Sequence, residues 1–155
     1  MHLGTEKSSS KHIALKIVRQ EGNADLSHGP HAPQTVMYRS IIRAMQQELQ
    51  FVRMLGNHPN IVKVLGTSDG GKIIAMELAV SDLYMLIQHT SVPMNLCVRW
   101  TQDVLRAVEF MHSMDVIHQD LKSSNILIFA DKAAKVGDFG ISHPPPHLRP
   151  PNTHT

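Results

Sequence analysis

At 155 residues the chain is long enough for one domain with a core of its own. Hydrophobic content of 42% and charged content of 18% exclude a disordered chain, and 15 basic against 13 acidic residues leave a net +2, too small to argue for nucleic acid or a membrane surface as partner. The single Cys97 excludes an internal disulfide and suits a reducing compartment, no apolar run approaches the roughly 20 residues of a membrane span, and MHLGTEKSSS lacks the apolar centre of a signal peptide, so cytoplasm or nucleus is expected.

In chain order, residues 1–10 are polar, rich in Ser and without periodicity. His12–Val18 (HIALKIV) alternates as a strand, with Ile13, Leu15 and Ile17 on one face and Ala14, Lys16 and Val18 on the other. An unpaired ammonium is poorly placed beside Ala and Val. Gln20–Gln34 carries Gly, Pro and His without an apolar repeat and reads as a loop; a long surface loop is thermodynamically cheap, because closure entropy grows only logarithmically with length. Val36–Leu55 is helical by pattern, with Ile41, Met45, Leu49, Val52 and Leu55 on one stripe, ended by Gly56-Asn57 and Pro59. Glu48 lies on or beside that stripe, where a carboxylate needs a cation, and Lys16 is the natural candidate.

His58–Gly66 is expected as a second strand and Gly71–Leu78 as a third, joined by a Ser-Asp-Gly-Gly turn. Ser81–Gln88 reads as a short helix. Leu96–Met111 reads as a longer one, with Cys97, Trp100, Thr101, Val104, Val108 and Met111 on its stripe. Cys97 is therefore expected as a packed thiol and Trp100 as core. Ile126–Phe129 and Ala134–Val136 are short apolar runs suited to a hairpin. Residues 143–155 form a Pro-rich tail that cannot build a fold. The eleven His are scattered and form no HExxH-type ligand spacing.

Val116–Ser142 reads VIHQDLKSSNILIFADKAAKVGDFGIS. Its His118, Asp120, Leu121, Lys122 and Asn125, followed by Asp138-Phe139-Gly140, closely resemble the catalytic loop and magnesium loop of eukaryotic protein kinases. Ile13-Ala14-Leu15-Lys16 resembles the family's VAIK strand. The resemblance implies an α+β fold: a small lobe of antiparallel strands with one helix at about 11–78, then the beginning of a helical large lobe at about 80–142. Residues 1–10 would be a polar segment outside that domain and 143–155 a disordered tail.

The resemblance also implies ATP and Mg²⁺ as cofactors. Lys16 would hold the α- and β-phosphates, paired with Glu48. Ala14 would lie against adenine, Met76 would guard the back of its pocket, and Glu77 and Ala79 would offer backbone groups to the base. Asp120 would accept or orient the proton of a substrate hydroxyl, Lys122 would reach the γ-phosphate, and Asn125 and Asp138 would bind the metal. His118 and Phe139, with Val52 and Val64, would pack as a spine coupling the lobes. DLKxxN is similar to the serine/threonine type, and the wording around it resembles the tyrosine-kinase-like group. The implied function is transfer of the ATP γ-phosphate to a Ser or Thr hydroxyl of a protein.

Three features depart from the family pattern. Gln119 stands where the family has Arg, nothing before the VAIK strand resembles GxGxxGxV, and no APE segment follows Asp138-Phe139-Gly140. A domain truncated at both ends is therefore expected, with part of the apolar stripe of helix 96–111 exposed and open to a protein partner. The alternative reading is a non-catalytic nucleotide-binding or interaction fragment.

Overall fold

The computed structural model describes residues 2–5, 12–18 and 33–142. The loop expected at 20–34, apart from its last residues, and the tail at 143–155 lie outside the described residues. Strand β1 (His2–Thr5) pairs antiparallel with β2 (His12–Ile17), which pairs with β4 (Ile73–Glu77), which in turn pairs with β3 (Val64–Ser68). A second sheet joins β5 (Ser81–Asp82), β6 (Ile126–Ile128) and β7 (Ala134–Val136). Three helices complete the fold: α1 (Pro33–Leu55), α2 (Leu83–His89) and α3 (Met94–Ser113). This is the α+β architecture expected. No helix among the described residues is long and apolar enough to cross a membrane.

Three elements differ from the sequence reading. Four of the ten N-terminal residues form β1, although they show no alternation, because pairing with β2 supplies the ladder that the pattern did not announce. A Cβ on Gly4 would stand 2.9 Å from Leu15 Cδ1, so a larger residue there would displace the end of the Leu15 side chain. The strand expected from His58 begins only at Val64; before it, Ile61 makes an isolated bridge to Val136. Helix α1 starts at Pro33, a residue suited to a first helical turn.

Helix α1 buries Met45, Glu48, Leu49, Val52 and Leu55, whereas Ile41, assigned to the same stripe, is 39% exposed. Helix α3 turns a different face inward than the apolar stripe suggested. Trp100, Asp103, Ala107 and Met111 are buried, while Cys97 is exposed. The packed-thiol expectation for Cys97 is thus overturned. The inward phase is set by a polar residue: Asp103 Oδ2 accepts the Ala134 N–H at 3.0 Å and its Oδ1 pairs with Arg106, so a buried carboxylate ties α3 to β7. Trp100 is core as expected, its indole N–H donating to the Lys132 carbonyl at 3.0 Å. Val98 and Leu105, which lie off the stripe read from the sequence, are 51% and 60% exposed.

The core joins both sheets. Val52, Leu55, Ile61, Ala107, Met111, Val116, Val136 and Phe139 form one cluster, with Val64 packed against it. His118 lies against the Phe139 ring, with centroids 5.1 Å apart. The four residues expected to couple the lobes, Val52, Val64, His118 and Phe139, are therefore brought together.

Candidate active site

The site lies where β2, α1 and the β6–β7 hairpin converge. Lys16 extends from β2, whose register sets it opposite Ile74 of β4 and sets Ala14 opposite Met76. Its Nζ lies 2.6 Å from Glu48 Oε2 and 3.1 Å from Asp138 Oδ1. Glu48 is 3% exposed, and the Phe139 backbone amide favours its charged form. Burial pushes the Glu48 carboxyl up, with Lys16 opposing. Burial pushes Lys16 down, but Glu48 and then Asp138 outweigh it and hold the ammonium above its ordinary value. Taken alone, the Glu48 direction would count the pair as costly and the Lys16 direction as favourable. The ammonium has two anions within 3.1 Å, so the proton stays on Lys16 and the pair is ionised.

The catalytic-loop residues are organised around Asn125, which closes a 3₁₀ turn over Ser123–Asn125. Its Nδ2 donates to the Asp120 carbonyl at 2.8 Å and to Asp120 Oδ2 at 3.0 Å, and its carbonyl accepts the Gly137 N–H. Lys122 Nζ lies 2.7 Å from Asp120 Oδ2. The hydrogen bond from Lys122 is the strongest influence on Asp120, and with Asn125 it holds that carboxyl below the usual range. His118, 4% exposed, meets the Gly137 carbonyl through Nε2 at 3.0 Å and accepts the Asp120 N–H at Nδ1. A neutral ring with its proton on Nε2 satisfies both contacts. Gln119 and Asp138 have φ of 65° and 64°. Left-handed backbone is costly for a non-glycine residue, and Asp115 and Lys132 share it.

A cavity of about 250 Å³ is lined by Lys16, Ile17, Glu48, Val62, Met76, Ser124, Asn125, Leu127, Gly137 and Asp138. The structure thus gathers Lys16, Glu48, Asn125 and Asp138 on one wall, and Asp120 and Lys122 join them through Asn125. Ala14, Glu77 and Ala79 do not line this cavity. Ala14 is buried behind it beside Met76, and Glu77 and Ala79 lie at the end of β4 and just beyond. Two roomier clefts, about 450 and 530 Å³, run along α1 and β3. Among the described residues, the charged ones that line them are Arg53 and Lys63.

Sequence reasoning missed two contacts. The Glu77 carboxylate takes Lys135 Nζ at 2.7 Å on both oxygens and the Lys63 N–H at 2.8 Å, while Lys135 Nζ sits 4.6 Å above the Phe129 ring. This ties the end of β4 to β7. Leu127 lines the cavity, and its place in the short apolar run Ile126–Phe129 was its only signal.

Comparison with known proteins accords with this geometry. The protein kinase domain model matches residues 1–149. The chain is 33% identical over 101 residues to mitogen-activated protein kinase 15 of Caenorhabditis elegans, a match that covers 62% of this chain and 22% of that protein. It is 28% identical over 145 residues to the carbon catabolite-derepressing protein kinase of Candida albicans, covering 92% of this chain and 20% of that protein. To CBL-interacting serine/threonine-protein kinase 16 of Arabidopsis thaliana it is 27% identical over 143 residues, covering 90% of this chain and 28% of that protein. The chain therefore spans less than a third of the length of these relatives. A cation held between a helix carboxylate and an Asp-Phe-Gly aspartate, beside an Asp–Lys–Asn loop, and a family match over nearly the whole sequence lead to one conclusion: the chain belongs to the protein kinase domain family.

Proposed function

We propose that this chain is an ATP-dependent protein serine/threonine kinase, transferring the γ-phosphate of ATP to a Ser or Thr hydroxyl. The observation that carries the reading is the joined charge set around the cavity: Lys16 between Glu48 and Asp138, and Asp120 between Lys122 and Asn125. Phosphoryl transfer asks the protein mainly to neutralise phosphates and aim the attacking hydroxyl. Lys16 is a preformed phosphate cation, and Asp120, kept ionised, can orient a hydroxyl and take its proton. The substrate oxygen bonds to the γ-phosphorus as the bond to the β–γ bridging oxygen breaks, and ADP leaves. Lys122 stands where it can follow the charge of the transferred group. Ala14, Glu77 and Ala79 take the adenine side in this reading.

The residues present fit Mg²⁺. Asn125 gives its amide nitrogen to Asp120, which leaves its carbonyl oxygen as an acceptor on the cavity wall, and Asp138 adds a half-exposed carboxylate. No group of three or more His, Cys, Asp or Glu that could hold a metal occurs among the described residues, which suits an ion that keeps water and phosphate oxygens. When bound with ATP, the ion would neutralise phosphate charge. An exposed, unpaired Cys97 supports a cytoplasmic or nuclear setting.

The test is transfer from Mg-ATP to generic Ser/Thr protein substrates by the purified chain, against Asp120→Asn. Loss of a positioned proton acceptor should lower the rate by about 10²–10⁴-fold. Equal, background rates in both would sink the catalytic reading. The exposed Val98 and Leu105 favour a second reading, an interaction module whose α3 face takes a protein partner. In that case Mg-ATP would raise the melting temperature without phosphate transfer.

A further inference from the structure

The turn Asp138–Ser142 is held by one face of α1 at both ends. Glu48 holds Asp138 through Lys16, and the Phe139 backbone amide favours its charged form. Ala44 faces Gly140: an added Cβ there would lie 3.9 Å from Ala44 Cβ. Gln47 Nε2 donates to the Ser142 carbonyl at 2.6 Å. Residues 44, 47 and 48 are spaced i, i+3 and i+4, so they share one helix face. Ser142 is fully buried; its N–H bonds the Phe139 carbonyl and its hydroxyl donates to the His118 carbonyl at 3.3 Å. Two adjacent helix residues therefore hold opposite ends of the turn that carries Asp138.

We propose that Gln47 and Ser142 are positioning residues: their hydrogen bond fixes the far end of the Asp138–Ser142 turn on α1 and so aims the Asp138 carboxylate at the cavity. Glu48 and Lys16 hold the near end, and the Ser142 hydroxyl ties the far end to the His118 carbonyl but not to α1. The left-handed backbone at Asp138, a conformation that persists only where its surroundings hold it, makes a second anchor necessary.

The discriminating variant is Gln47→Glu, which keeps size and helix propensity but replaces the donor with an acceptor facing a carbonyl. Gln47→Lys keeps a donor. Gln47→Met is a second non-donor should the Glu variant not fold. Two readouts apply to the full chain. Without ligand, amide exchange at Phe139 and Ser142 should quicken about fivefold in Gln47→Glu, the factor expected from loss of one net hydrogen bond, and stay within about twofold of wild type in Gln47→Lys. The second readout rests on the nucleotide reading above: calorimetry with ATP, with and without Mg²⁺. The gain in affinity that Mg²⁺ confers should fall about fivefold in Gln47→Glu, with metal-free ATP affinity unchanged. Unchanged exchange over 138–142, or an equal loss of metal-free and Mg-ATP affinity, would overturn the proposal. A wild-type chain that binds no ATP overturns the nucleotide reading instead, and amide exchange then decides the positioning role.

Discussion

Replacing Lys16 with Met removes the cation but leaves Glu48 in place, 3% exposed. Breaking a fully buried pair typically costs about 3–5 kcal/mol, because the remaining charge is uncompensated. Here the Lys16 side chain is 32% exposed and the Phe139 backbone amide still favours the Glu48 carboxylate, so water and that dipole relieve part of the penalty. About 1–2 kcal/mol remains after that discount. For a chain of this size the corresponding fall in melting temperature is about 2–8 °C. The sign of the pH dependence follows from the carboxyl. Burial already raises Glu48 above its ordinary 4.5, and loss of Lys16 raises it further. A group raised in the folded state contributes stability that is full below its unfolded value and is lost as pH rises through its folded one. The variant should therefore be weakest at neutral pH and approach wild type toward pH 4.5. In Lys16→Met/Glu48→Gln most of the deficit should disappear. Circular-dichroism melts at neutral and acid pH measure this directly. A deficit independent of pH, or a double variant no better than the single one, would refute the reasoning.

Lys135→Met should destabilise the fold by about 1–2 kcal/mol, since it leaves a partly buried Glu77 without its cation. A urea double-mutant cycle with Glu77→Gln should show strong coupling rather than additivity. Lys122→Met removes the main influence holding Asp120 down, so the acid limb of phosphate transfer should move to higher pH; a pH–rate profile reads the shift, and an unmoved limb would contradict it. Cys97 should react rapidly with a thiol reagent in the native protein, and Cys97→Ser should change stability by less than about 0.5 kcal/mol, as surface substitutions do.

The candidate site of this chain was legible because its motif is written locally. Asp120, Lys122, Asn125 and Asp138 stand at fixed offsets around a hairpin, and their spacing survives without knowledge of the rest. The Lys16–Glu48 pair was also legible, because a carboxylate on a buried helix stripe and an ammonium among apolar strand neighbours each need the other. Contacts that polar groups make across long separations were not. Gln47 with Ser142 and Glu77 with Lys135 follow no periodicity, since each residue taken alone suits a solvated surface. The same blindness misplaced Cys97: an apolar count chose the α3 face, while the buried face includes Asp103, whose burial depends on the backbone of β7. Strand β1 escaped notice because four residues are too few for alternation to stand out, and its partner, not its pattern, makes it a strand.

Titration of Mg-ATP into the purified chain by calorimetry tests the assembled site most directly. The account predicts binding at one site per chain, weakened at least tenfold by Asp138→Asn, on the order of one lost charge-assisted contact. Metal-free ATP affinity should change little in that variant. No heat from the wild-type chain, or equal Mg-ATP affinity in wild type and Asp138→Asn, would contradict it.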